Sequence, residues 1–272
     1  MGANTKAKKL AAKGWIVYAL DINEQAVNSL AAEVGAAIHP VVCSIADKDQ
    51  VKSAVDAIAK RETRLDALVN VAGMLGIGAA GWQTEEELML MFQVNAMGTI
   101  RLCRDCLPLL LKAERGANIV NVTSIGGKVA WPWTGCYSAA KGAIELFTDG
   151  LRRETYMAGL NLRVSVVAPG AVSTPLAAAF PVKMKKHVEA TTDSPFHARM
   201  ASMIAFLTSN QQLDYLVSLD PGTVADAIVA VLEAHAPAAR YVVMHPLFAP
   251  IYYLPLYLPA GLGDFFVRML NP

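Results

Sequence analysis

Short runs of apolar, β-branched residues alternate along the chain with longer stretches in which apolar positions recur every three or four residues. The short runs predict strands at Trp15–Leu20, Ile38–Cys43, Leu65–Val71, Ile119–Thr123, Leu162–Val167 and Arg240–Met244. The longer period predicts helices near Glu24–Val34, Asp47–Arg61, Thr84–Lys112, Thr134–Ala158 and Gly222–Ala234. Asn23, Asp47, Thr84 and Thr134 stand where a side-chain oxygen can cap a helix, and Thr84 with Glu87 has the spacing of a capping box. Alternation of the two kinds of segment predicts an α/β fold with a doubly wound parallel sheet. Strands apolar on both faces fit burial between two helical layers.

Composition narrows the function classes. The chain has 272 residues, 54% of them hydrophobic, which suits one domain over 1–272 better than two. A formal net charge of +1 gives no global field to recruit nucleic acid. Lys6, Lys8, Lys9 and Lys13, and later Lys183, Lys185 and Lys186, read as solvated faces. Cys103 and Cys106 form a C-x-x-C inside an apolar helical run, whereas redox chemistry wants that motif at a helix N-terminus. No His stands at ligand spacing around the four cysteines, so no metal is expected. Reduced thiols point to an intracellular location, cytoplasmic or at an organelle membrane. The apolar run at Trp15–Leu20 is too short for the core of a signal peptide. From Tyr241 to Gly263 there is no Asp, Glu, Lys or Arg, but Pro246, Pro250, Pro255 and Pro259 interrupt the stretch and argue against a spanning helix. The segment 241–272 is thus expected to be an apolar C-terminal extension, a substrate lid or a membrane-surface patch.

Ligands of parallel α/β sheets bind outside the carboxyl ends of the strands. Asp21, Asn70–Gly73, Ser124–Gly127 and Pro169–Thr174 all follow an apolar run directly, which predicts one shared crevice. Tyr137 and Lys141 lie four apart on a predicted helix and so share a face. A phenol with a pKa of ~10 is a poor acid–base catalyst near neutrality, and a nearby ammonium lowers it. Tyr-x-x-x-Lys alone is a common surface spacing; a strand-end Ser124 followed by two glycines gives it context. Ser124 also admits a bland reading, a turn serine satisfying its own backbone.

N-I-V-N-V-T-S-I-G-G at 118–127 and Y-S-A-A-K at 137–141 resemble the short-chain dehydrogenase/reductase family. So do N-V-A-G at 70–73, V-N-A-M-G-T at 94–99 and A-P-G-A-V-S-T at 168–174, all in the family's order. The resemblance implies a Rossmann-like fold and a nicotinamide cofactor. It implies Tyr137 as general acid/base, Ser124 orienting the reacting oxygen, and Lys141 lowering the Tyr137 pKa and binding the nicotinamide ribose. Asn95 would hold a relay water; its bland reading is a helix-kink amide satisfying backbone. Pro169, Gly170, Val172 and Thr174 would face the nicotinamide, and Asn70, Ala72 and Gly73 the adenosine side. Asp21, with no Arg close behind it, would bind ribose hydroxyls and favour NAD over NADP, with Ser44 a further contact near the adenine.

L-R-R-E at 151–154 and the apolar extension are similar to the hydroxysteroid and retinol dehydrogenase branch. That implies a small hydrophobic substrate, a steroid, retinoid or lipid-like alcohol or ketone, covered by residues 176–220. It also implies homo-oligomers paired through helices at 84–112 and 134–158. The family pattern opens with a strand and T-G-x-x-x-G-x-G entering a helix. This chain opens M-G-A-N-T-K-A-K-K-L-A-A-K-G-W, in which Gly2–Thr5 resembles a fragment of that loop and Ala7–Gly14 the second half of the helix. The expectation is a sheet lacking its central strand, in a truncated, alternatively started or spliced product of a complete dehydrogenase. Two readings follow: an active dehydrogenase, or an impaired member serving as a binding protein or inert isoform.

Overall fold

All six apolar runs fold as strands. In a computed structural model, which describes residues 2–209 and 218–269, β1 (Val17–Asp21), β2 (Ile38–Val42), β3 (Ala67–Asn70), β4 (Ala117–Val122), β5 (Leu162–Pro169) and β6 (Arg240–Val243) pair only in parallel. Parallel pairing requires a crossover between strands, and helices supply it. These are α1 (Gly2–Ala12), α2 (Glu24–Val34), α3 (Lys48–Ala59), α4 (Glu85–Phe92), α5 (Gly98–Leu110), α6 (Gly135–Met157), α7 (Pro175–Ala190), α8 (His197–Ser209), α9 (Pro221–Glu233), α10 (Ala249–Tyr257) and α11 (Ala260–Met269). The result is a Rossmann-like α/β architecture.

The sheet is in two parts, β1–β2 and β3–β4–β5–β6. The Val17 amide donates to Ala37, so the Val17, Ala19 and Asp21 backbones face β2, while Tyr18 and Leu20 face away from it. The Asn118 amide donates to Asp66, so the Ala67 and Val69 backbones likewise face away from β4. Among the described residues no strand lies between β1 and β3. The two parts nonetheless share their cores. Leu20 of β1 and Leu68 of β3 pack on one cluster with Ile119, Leu102 and Val51. Val17 and Val69 pack on the opposite one with Val120, Leu10 and Ile228. Alternate residues of β4 feed the two faces, as the strand period requires.

Several expectations are corrected. Gly2–Thr5, expected as a loop fragment, is the first turn of α1. Its helix is held by packing and surface pairs: Ala7 and Leu10 are buried, and Lys8, Lys9 and Lys13 reach Glu33, Asp226 and Glu233. The single helix expected over Thr84–Lys112 is broken by a π-helical turn at Gln93–Met97. Asn23, Asp47 and Thr84 cap their helices, Thr84 in a capping box with Glu87, but Thr134 makes no such cap and donates to the Trp131 carbonyl instead. The C-x-x-C is buried in α5, where burial pushes both Cys103 and Cys106 up to about 12, far from any reactive thiolate.

Of the segment 176–220, α7 and α8 are described and 210–217 lie outside the described residues. The extension folds as α10 and α11, with 270–272 outside the described residues. No helix among the described residues is long and apolar enough to cross a membrane.

Candidate functional site

The crevice forms at the carboxyl ends of β3, β4 and β5. Ser124 follows β4 in extended conformation and its hydroxyl accepts from the Gly126 amide, so the local turn uses it. The Tyr137 side chain, on the first turn of α6, stands beside that hydroxyl, both bordering Gly126. One helical turn on, Lys141 is buried, with its ammonium donating to the Val122 carbonyl at 3.3 Å. Ser124, Tyr137 and Lys141 therefore meet. Their electrostatics differ from the simple expectation. Burial pushes the Tyr137 phenol above its ordinary value, and the Ser124 hydrogen bond draws it back only in part. The Lys141 ammonium, turned to the Val122 carbonyl, is itself pushed down to about 8 by burial.

Gly73 closes the crevice from β3. A Cβ there would stand 3.0 Å from Asn95 Oδ1 and 3.2 Å from Lys141 Nζ, so a larger residue would have to push both groups back by a few tenths of an ångström. Asn95 sits in the π-helical turn and is 1% exposed. Its Oδ1 accepts from the Met74 amide and its Nδ2 donates to the Met74 carbonyl, both at 2.8 Å. This is the helix-kink arrangement: the carboxamide ties the loop after β3 to the widened helical turn.

The remaining residues divide. Asn70 turns inward, donating to Asn121 at 2.8 Å, with its Oδ1 buried and unpartnered. Ala72 is exposed at the end of β3. Asp21 ends β1 and accepts from the Asn23 amide, and the Ser44 amide is held by Gln50. Pro169 ends β5, and the Gly170 amide donates to Val243. Val172 bridges to Leu219 and packs on the core with Val224. Thr174 caps α7, its hydroxyl accepting from the Ala177 amide. Val172 and the Asn70 side chain thus serve the scaffold.

Two arrangements escaped the sequence reading. Glu145, one turn beyond Lys141 on α6, is buried and takes the Thr123 hydroxyl at 2.6 Å and the Arg240 guanidinium at 3.0 and 3.1 Å. Arg240 also donates to the phenol of Tyr252, which is fully buried in α10. The available signal was a carboxylate in phase with the buried stripe of α6. The second is Trp133, with φ +68° just before α6, packed on Phe196 beside Trp82; a tryptophan in that backbone region leaves no mark in sequence.

The family model described as short chain dehydrogenase matches residues 2–185. Dehydrogenase/reductase SDR family member 9 of Bos taurus is 32% identical over 99% of this chain and 86% of its own length. The chain belongs to the short-chain dehydrogenase/reductase family. It is thereby an oxidoreductase of a family that works with a nicotinamide cofactor. Cyclopentanol dehydrogenase of Comamonas testosteroni is 35% identical over 63% of this chain and 69% of its own length. Retinol dehydrogenase 5 of Mus musculus is 34% identical over 62% of this chain and 53% of its own. A solved short-chain dehydrogenase from Streptomyces avermitilis superposes with a TM-score of 0.75 at 23% identity, covering 99% of this chain and 90% of that one. That likeness concerns the fold.

A nicotinamide cofactor fits one end of this family member better than the other. At the Tyr137 end, a glycine that admits close approach and a buried ammonium with one long carbonyl contact among the described residues leave donors for ribose hydroxyls. At the other end, Asp21 closes β1 with a carboxylate that already accepts from the Asn23 amide.

Proposed function

We propose that this protein interconverts an apolar alcohol and its ketone or aldehyde, steroid-, retinoid- or lipid-like, with NAD favoured over NADP. The observation that carries the reading is the meeting of Ser124, Tyr137 and Lys141 at the end of β4. In the reducing direction the Tyr137 phenol donates its proton to the carbonyl oxygen while Ser124 donates a second hydrogen bond to that oxygen; oxidation reverses both. The bound nicotinamide supplies or accepts the hydride. Lys141 holds the cofactor's ribose beside the phenol, and its charge, brought to bear there, offsets the burial that raises Tyr137. Asp21 supports NAD, since a carboxylate at the end of β1 repels a 2′-phosphate. The cluster of Ile77, Met184, Met200, Trp82 and Trp133 supports an apolar substrate.

The competing reading, an impaired member that acts by binding alone, is favoured by the edges of β1 and β3 that have no partner strand among the described residues. Fluorescence titration with NADH and NADPH, followed by rates on a panel of apolar alcohols, separates them. The expected result is saturable binding, tighter for NADH, and turnover that Tyr137→Phe lowers about 100- to 10,000-fold with binding kept. Absence of saturable dinucleotide binding decides for the competing reading.

A further inference from the structure

His187 lies on α7 and is 9% exposed. Its Nε2 is buried and has no hydrogen-bond partner. Leaving such a nitrogen unpaired costs about 1–3 kcal/mol, so it calls for an explanation. Most of its neighbours are apolar: Met184, one turn earlier on α7, and Val188 belong to a buried cluster with Ile77, Ala79 and Met200, flanked by Leu75, Trp82, Trp133 and Phe180, while the Glu87 carboxylate of α4 acts on the ring from a distance. The imidazole lies directly on Gly78, between Ile77 and Ala79. A Cβ on Gly78 would come within 2.6–2.9 Å of the ring, and φ of +150° reserves that position for glycine a second time. The Gly78 amide in turn donates to the carbonyl of Trp133 at 2.9 Å. Trp133 holds a left-handed backbone conformation four residues before Tyr137, and such strain persists where neighbours over-determine it, often at ligand sites. Gly78 and Trp133 thus link the imidazole to the segment that leads into α6, four residues before Tyr137. The apolar cluster lies alongside this link.

We propose that His187 Nε2 is the specificity determinant for a second polar group on an otherwise apolar substrate, a hydroxyl or carbonyl remote from the carbon that reacts at Tyr137. The inference rests on the apolar-substrate reading above and refines it: the substrate carries oxygen at both ends. A site that offers one buried polar atom discriminates strongly for the ligand that pairs with it, because a ligand lacking the group leaves the nitrogen unsatisfied. Trp82 and Trp133 border the site, so binding is readable by tryptophan fluorescence without cofactor or turnover.

The test titrates the full chain with dodecanol and with its terminal diol. Dodecanol is the more hydrophobic of the two, so burial alone favours it. The wild-type protein is expected to bind the diol about threefold to tenfold more tightly. His187→Leu is expected to abolish that preference with dodecanol affinity kept, and His187→Gln to restore part of it. Equal or weaker binding of the diol by the wild type overturns the proposal, whether or not the variants fold. So does a parallel loss for both ligands in a folded His187→Leu, which would mark the residue as packing. Failure of both ligands to quench tryptophan fluorescence removes the apolar-substrate reading and this inference with it, an outcome distinct from loss of preference alone.

Discussion

Among the described residues two lysine ammoniums are buried, Lys6 on α1 and Lys141 on α6, and burial lowers each from 10.5 to about 8. Between those values the unfolded chain binds protons that the folded chain does not, so stability rises with pH across that window. Below about pH 8 both residues keep their charge, and the folded state bears the full cost of burying it. Lys141 has a carbonyl contact and a proposed role; Lys6 shows neither a hydrogen bond nor an ion pair among the described residues. Lys6→Met is therefore expected to stabilise the protein by about 1–3 kcal/mol near neutral pH, with the gain shrinking toward pH 10.5. Urea unfolding midpoints of both proteins at several pH values check this; a gain that is constant across the window contradicts it. Tyr137, Lys141 and Ser124 were legible at this scale because their spacing along one helix and one strand end is local. The direction of the Tyr137 shift was not, because burial depends on what the rest of the chain lays over it.

At the scale of elements, the buried Glu145 carboxylate binds four pieces of structure together. It holds α6 to the end of β4 through Thr123 and to β6 through Arg240, and Arg240 carries the connection to α10 through Tyr252. Glu145 is 3% exposed in its side chain and Arg240 24%, so the pair is shielded from solvent. Removing one partner leaves the other charge uncompensated. Glu145→Ala is expected to cost about 3–5 kcal/mol, measured by urea unfolding. A loss below 1 kcal/mol would mean that water takes the carboxylate's place. Tyr252→Phe removes only the outer hydrogen bond and should cost about 1 kcal/mol. Capping residues were readable here, since Asn23, Asp47 and Thr84 act within one turn of themselves. The π-helical turn at Gln93–Met97 was hidden, because the contact its Asn95 makes is to the backbone of Met74, twenty-one residues away.

For the whole molecule, the division of the sheet is the distinguishing feature. The backbones of Tyr18 and Leu20 on β1, and of Ala67 and Val69 on β3, point away from the one partner strand each has among the described residues. Their amides are expected to exchange with deuterium at least 100-fold faster than those of Ile119 and Val120 in β4, whose cores have the same composition. Equal protection would show that the two sheets join in solution. Both parts remain registered to each other because α1 and α5 pack across them, through Leu10 and Leu102.

By itself the sequence determined the six strands, most of the helices between them, the family, and the residues that line the strand ends. Each of these depends on periodicity, capping or motif spacing within a few tens of residues, which a chain displays before it folds. Tertiary structure alone decided what pairs with what. It turned Asn95 onto Met74, drew Glu145 to Arg240 across 95 positions, set His187 over Gly78, and packed β1 and β3 on shared cores without pairing them to each other. Those outcomes follow from burial and hydrogen-bond satisfaction between segments distant in sequence, whose mutual positions no local pattern encodes.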